Sequence, residues 1–452
     1  MLQSPGWASW GSHASVVSLL GAARPLAVVA GALVALQSSQ SLDLSKLAFF
    51  AVAGLALAGS VFHAWMARGT VAVKAARPWM IASVVLAAIV GLSFPIAMAN
   101  GTAVGSWVRD AAAYALLAAS PWLALDLGLA VSPRVAVLAV AVAGSVASLS
   151  FTVHWVHLRN LGDLPLDRLG FPSVALAASF FAFGVARSVW GGRGRYAWAV
   201  VASMVLYLLL VTGSRSTVAL VTIPIFLLMD RTRIGGRAAL RASIAPAVLP
   251  FLVAAMFVVP GVLASLPATP AGPAAIASAT APGQVAIPTP THDTGGRFGT
   301  LEAVAAGTDQ SLRDRWAQTV SAWRIFVGAP LTGRGPGVPI PWTSYDGTLS
   351  ATFTADTPLA ILAKFGVFGI VMWGAIAWAT FVTLAGLRRR RWPGLVTRSA
   401  MIGLATGLIV LSPFAPMLED KGTSLALILL LGLAFSVIRT SSEDEHSSSA
   451  AA

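Results

Sequence analysis

The chain has 452 residues, of which 57% are hydrophobic and 10% charged, with a mean hydropathy of +0.79. A soluble globular domain carries roughly 25% charged residues, so this composition excludes a water-soluble fold and makes lipid the solvent. The net charge of +13 sits in short connections between apolar runs, a sign of membrane topology rather than of nucleic-acid binding, and the absence of cysteine excludes disulfides, thiol nucleophiles and Cys metal sites.

The first apolar run, Val16 to Leu36, contains Arg24 and follows an uncharged start, so it reads as a retained helix rather than a signal peptide. Further runs long enough to cross about 30 Å of hydrocarbon are Leu47 to Ala67, Pro78 to Ala99, Ala111 to Leu129 and Val135 to Val156. After a polar connection come Pro172 to Trp190, Tyr196 to Val211, Thr212 to Met229 and Pro246 to Leu266. The last three are Thr357 to Leu387, Ala400 to Phe414 and Leu425 to Ile438. The expected fold is all-α: a polytopic membrane bundle of about twelve transmembrane helices, with a large extracytoplasmic loop containing amphipathic helices. Residues 1–266 form the main bundle, 267–356 the loop, 357–439 the C-terminal helices and 440–452 a disordered cytoplasmic tail.

Alternate loops must share a side of the membrane, and basic residues favour the cytoplasmic one. One set of loops carries Arg68, Lys74, Arg77, Arg134, Arg187, Arg193, Arg195, four arginines between Arg231 and Arg241, Arg388 to Arg391, Arg398 and Arg439, about 17 of the 30 basic residues. The opposite short loops hold only Lys46, Arg109, Arg159, Arg168, Arg215 and Lys421. The bias puts both termini in the cytoplasm and the long loop outside.

That loop opens with a Pro/Ala-rich stretch whose composition predicts a flexible tether. Its second part changes character: Leu312, Trp316, Val320, Trp323 and Val327 recur at helical spacing, with Ser311 as a cap and Gly328 to Pro330 as a stop. This predicts an amphipathic helix lying on the membrane or on the bundle. Beyond it, Gly333, Gly335 and Gly337 follow no strand, which excludes a dinucleotide fingerprint and leaves a turn that carries Arg334.

The arginines assigned to the outer side are Arg159, Arg168, Arg215, Arg313, Arg315, Arg324 and Arg334. A planar guanidinium forms two parallel hydrogen bonds to phosphate, so arginines at a lipid interface point to an anionic lipid-linked substrate. Arg215 stands between two apolar runs beside Gly213, Ser214 and Ser216, where it either snorkels to headgroups or binds an anion with the helix start. His154 and His157, with Asp163 and Asp167, match no standard metal spacing, and no metal is expected. Glu419, Asp420 and Lys421 read as a solvated turn, and Arg388 to Arg391 as an anchor on anionic lipid.

In order and spacing the chain resembles the O-antigen ligase and O-antigen polymerase superfamily of envelope glycosyltransferases. Carrying the resemblance are RLGFPSVALAASFFAFG (Arg168 to Gly184), TGSRST (Thr212 to Thr217), RDRWAQTVSAWRIFVGAPLTGRGPG (Arg313 to Gly337) and TADTPLAILAKFGVFGIVMW (Thr354 to Trp373), which together cover roughly residues 160 to 390. It implies an enzyme of the bacterial plasma membrane that transfers a glycan from a polyprenyl diphosphate donor to a glycan or glycolipid acceptor, without a cofactor. Under it, Arg215 is catalytic, Arg168, Arg159, Arg313, Arg315 and Arg334 contact the donor, and Trp316 covers its lipid end. Members often carry His-Asn before the re-entering helix, where this chain has Asp356-Thr357; by position Asp356 is the general base, and it equally fits an N-cap. A secondary transporter and a non-catalytic flippase or scaffold remain open as alternatives, since both suit a multi-helix bundle with interfacial arginines.

Overall fold

The computed structural model describes residues 22–29, 31, 44–143, 174–190, 195–211, 310–344, 347–351, 357–388, 395–410, 412 and 418–451. Among them five helices are long and apolar enough to cross a membrane: Ala48–Met66, Val71–Ala99, Val104–Ala130, Val367–Gly386 and Gly422–Glu443. Shorter apolar helices are Pro133–Ala143, Leu176–Ser188, Tyr196–Val205 and Leu395–Ile409. The sequence-predicted runs at 212–229 and 246–266 lie outside the described residues.

Burial grades these helices into an inner and an outer set. In Gly422–Glu443, 89% of the most apolar window is buried, and Leu427 to Leu431 are at most 2% exposed. This helix packs on Val104–Ala130, itself 72% buried, so the two form the centre. By contrast, Ala48–Met66, Val71–Ala99 and Val367–Gly386 turn most of their apolar surface outward, with Leu55 75%, Phe381 69% and Phe62 62% exposed. Apolar surface on that scale has no place in water and marks a membrane protein. Polar groups between helices find partners inside: Trp79 Nε1 donates to Thr383 Oγ1 at 2.9 Å and Trp122 Nε1 to Ser83 Oγ at 2.7 Å.

Three features depart from the sequence reading. The apolar run from Thr357 to Leu387 is not one helix but two, Thr357–Phe365 and Val367–Arg388, broken at Gly366 with φ of +59°. A Cβ at Gly366 would sit 2.6 Å from the Leu331 and Pro330 carbonyl oxygens, and Val367 N donates to Pro330 O at 2.9 Å, so the chain arriving from the loop occupies the break. The loop also contains strand as well as helix: β1 (Ile340–Ser344) pairs antiparallel with β2 (Gly347–Ala351), Trp342 opposite Leu349. Finally, residues predicted as a disordered tail continue the last helix, Gly432–Ala451, with an Arg439 to Glu443 pair one turn apart at 3.6 Å.

Candidate functional site

The predicted amphipathic segment folds as the helix Gln310–Gly328. Its inner face buries Ala322 and Ile325 against Ile340 and Ala363, so the helix bridges β1 and the short helix Thr357–Phe365. Ser321 Oγ donates to Pro341 O and ties the same face to β1. At Gly328 and Pro330 the helix stops, and the chain turns through a loop whose three glycines all have positive φ: +63° at Gly333, +88° at Gly335 and +85° at Gly337. Their missing side chains admit helix backbone. A Cβ would meet Lys364 O at 2.4 Å, Ala97 Cβ at 2.6 Å and Ser106 C at 2.7 Å respectively. The glycines therefore serve close packing on three helices rather than approach to a phosphate.

Hydrogen bonds then pin the loop. Arg334 N donates to Ala363 O at 3.0 Å, Gly335 N to Lys364 O at 2.8 Å and Gly337 N to Asp110 Oδ2 at 2.7 Å. Asp110 thereby joins the loop to a buried ion network. Lys364 Nζ donates to Asp110 Oδ1 at 2.7 Å and to Glu419 Oε1 at 2.5 Å, Tyr114 Oη donates to the same Glu419 oxygen at 2.9 Å, and Lys364 stands 5.5 Å over the Tyr114 ring. The Lys364 side chain is 2% exposed, Asp110 9% and Glu419 8%, and Glu419 Oε2 has no partner among the described residues. Burial, reinforced by the Asp110 charge, holds the Glu419 carboxyl above the usual carboxylate range despite Lys364 and Tyr114.

Between the helix, the loop and the hairpin lies a cleft of about 700 Å³ lined by Ser321, Arg324, Arg334, Val338, Thr348 and Ser350, among others. Arg324 comes from the helix and Arg334 from the loop, and neither has an acidic partner among the described residues. Two exposed guanidinium groups, hydroxyls and proline faces make a wall suited to an anionic, hydroxyl-rich ligand. No family model, curated protein or solved structure matches the chain.

Of the residues singled out in the sequence, Arg334 lines the cleft and Trp316 lies on the exposed side of its helix, 69% accessible. Arg313 and Arg315 fall in the first two turns of the same helix. Arg159, Arg168, Arg215 and Asp356, like His154, His157, Asp163 and Asp167, lie outside the described residues. The reading of Glu419 as part of a solvated turn is corrected: its neighbour Asp420 caps the following helix through Gly422 N at 2.8 Å, while Glu419 points inward to Lys364. Sequence reasoning missed Lys364, Asp110 and Tyr114. The available signal was one lysine inside TPLAILAKFGVFG, an apolar stretch where a charge needs a partner.

A second ion cluster ties three helices. Asp126, fully buried, accepts from Arg24 Nε at 2.9 Å and Nη2 at 3.0 Å, from Ser60 Oγ at 2.8 Å, and faces His63 Nδ1 at 2.5 Å. Arg24, His63 and Asp126 each interrupt one of the early apolar runs, and the fold brings them together.

Proposed function

We propose that the chain is a glycosyltransferase of about twelve transmembrane helices in a bacterial plasma membrane, with both termini cytoplasmic and the loop outside. It transfers a glycan from a polyprenyl diphosphate to a glycan or glycolipid acceptor, as in ligation or polymerisation of envelope polysaccharide. The observation that carries the reading is the cleft holding Arg324 and Arg334, seated by the glycine loop against the ends of two apolar spans. A donor with a lipid tail needs its diphosphate held where hydrocarbon ends, and this loop packs against the ends of two apolar spans. The acceptor hydroxyl oxygen attacks the anomeric carbon, the bond from that carbon to the phosphate oxygen breaks, and the polyprenyl diphosphate leaves with the electron pair. The arginines Arg215, Arg168, Arg159, Arg313, Arg315, Arg324 and Arg334 stabilise the charge that develops, and Asp356 takes the hydroxyl proton. Trp316 covers the lipid-proximal end of the donor.

The test is glycan transfer in proteoliposomes from a polyprenyl-diphosphate donor, comparing the wild type with Arg334→Ala, Arg215→Ala and Asp356→Ala after membrane insertion is verified. Loss of transfer with retained insertion is expected for all three. Donor binding without transfer to any acceptor defeats the enzymatic reading. The Asp126 cluster favours a second reading, a transporter, because ionisable groups within apolar helices often mark a translocation path. Substrate counterflow by the wild type in vesicles showing no glycan transfer, abolished by Asp126→Asn in a preparation whose thermal unfolding matches the wild type, would establish it.

A further inference from the structure

The helix Gln310–Gly328 is apolar on the side that its packing leaves open. Opposite the buried pair Ala322 and Ile325 stand Trp316, Trp323 and Val327, exposed by 69%, 51% and 59%, and the stripe continues past the helix end to Leu331 at 70%. A spacing of seven and four residues places 316, 323 and 327 within about 40° of one another on a 3.6-residue helix. Nothing in the chain's described residues covers this face.

Two observations say what does. The first is height: Gly335 and Gly337 are wedged on Ala97 and Ser106, residues in the last turn of one apolar span and the first turn of the next, so the loop that ends this helix sits where the hydrocarbon-facing surface stops. The second is continuity. Pro330 and Leu331 fill the break at Gly366, and the helix that starts there exposes Val367, Phe368, Ile370 and Val371 by 42–54% on its apolar span. The exposed stripe thus extends a surface that already faces lipid. Tryptophan suits this level, with an apolar ring and one N–H for the headgroup region.

We infer that this stripe is a membrane-docking surface, inserted into the headgroup region of the bilayer so that the Arg324 and Arg334 cleft is held at the height of lipid phosphates. The inference does not require glycan transfer. It concerns where the module rests, whatever chemistry the cleft performs.

The chain contains no cysteine, so single labelling sites can be introduced without background. Spin labels at Trp316→Cys, Trp323→Cys and Val327→Cys in the full chain, reconstituted in phosphatidylglycerol and phosphatidylcholine vesicles, are compared with Thr348→Cys and Ser350→Cys on the exposed hairpin. Accessibility to oxygen relative to a water-soluble nickel chelate is expected to be several-fold higher at all three helix positions than at the hairpin pair. Equal ratios at both sets, with the stripe open to nickel, overturn the proposal. Dipolar broadening at Trp323→Cys in the singly labelled protein, lost on dilution with unlabelled chain, also overturns it by making a second copy the occupant. Because neither readout involves a donor or acceptor, failure of the enzymatic reading leaves this result interpretable.

Discussion

Replacing Lys364 by Met removes a cation that Asp110 and Glu419 share and leaves two carboxyl groups in a site where each is less than a tenth exposed. Breaking a buried pair by deleting one partner costs about 3–5 kcal/mol, because the charge left behind keeps its desolvation penalty. The loss falls first on the loop, since Asp110 also accepts from Gly337 N and Lys364 O from Gly335 N. Glu419 sets the pH dependence. Its carboxyl titrates above the usual carboxylate range, so it binds a proton more readily folded than unfolded, and the associated stability is complete below the unfolded value of about 4.3 and lost as pH rises through the folded one. In the Lys364→Met variant, with the lowering effect of the lysine gone, this window widens. The variant should be most destabilised at neutral pH and recover part of the loss on acidification. Limited proteolysis at residues 329–337 in detergent, together with thermal unfolding from pH 5 to 8, reads both effects. A neutral-pH loss below about 1 kcal/mol, the scale of an exposed ion pair, would refute the reasoning. So would a loss that grows toward acid.

Gly335→Ala should lift the loop from its seat, because the new Cβ would lie 2.6 Å from Ala97 Cβ at a φ of +88°; the left-handed conformation alone costs about 1–2 kcal/mol and overpacking adds about 1–3, giving earlier proteolysis of the loop with the membrane helices intact. Arg324→Ala and Arg334→Ala should each weaken binding of a lipid-diphosphate ligand by more than tenfold with unfolding temperature unchanged, since both groups are exposed and unpaired among the described residues, and binding is measured on the detergent-solubilised protein. Asp126→Ala should destabilise more than the double change Arg24→Met with Asp126→Leu, which removes both charges together, as ranked by thermal unfolding in detergent.

Apolar length made the five long apolar helices among the described residues legible, and the Trp316, Trp323, Val327 spacing made the amphipathic one legible to within a residue or two. What the sequence hid depends on tertiary contact. Gly366 lies in an apolar run whose one charge is Lys364, and hydropathy alone does not mark the break there; the cause is the Pro330 and Leu331 backbone arriving from the loop. Glu419 stands beside Asp420 and Lys421, and three charges in a short turn read as solvated because nothing local says that one points inward to Lys364. The loop glycines were legible as a turn carrying Arg334, but the helix backbone they accept was not. Of the cleft, the arginines were legible as cations beside the amphipathic segment, while their convergence required the hairpin, whose strands are too short to announce themselves against an all-α background.

The two ion networks make opposite use of one helix. Asp110 and Asp126 stand 16 residues apart on Val104–Ala130, about 24 Å along the axis, so both fall near the ends of a hydrocarbon layer of about 30 Å rather than at its centre. At the loop-bearing end the carboxylate accepts a backbone N–H from Gly337, a contact that exists only when the loop is seated. At the other end Asp126 lies close to the helix C-terminus, where the helix dipole disfavours an anion, and it is satisfied by Arg24, Ser60 and His63 from within the bundle. Those partners do not depend on the loop. Asp126 thus locks membrane helices to one another irrespective of ligand, whereas Asp110 reports whether the cleft is assembled. Asp110→Asn, which keeps the amide acceptor for Gly337 but weakens the lysine contact, should therefore disturb Arg334 and ligand binding while leaving helix packing intact, and Asp126→Asn should do the reverse. If both variants lose ligand binding and helix packing in the same proportion, the two ends are one cooperative unit and this division of labour is wrong.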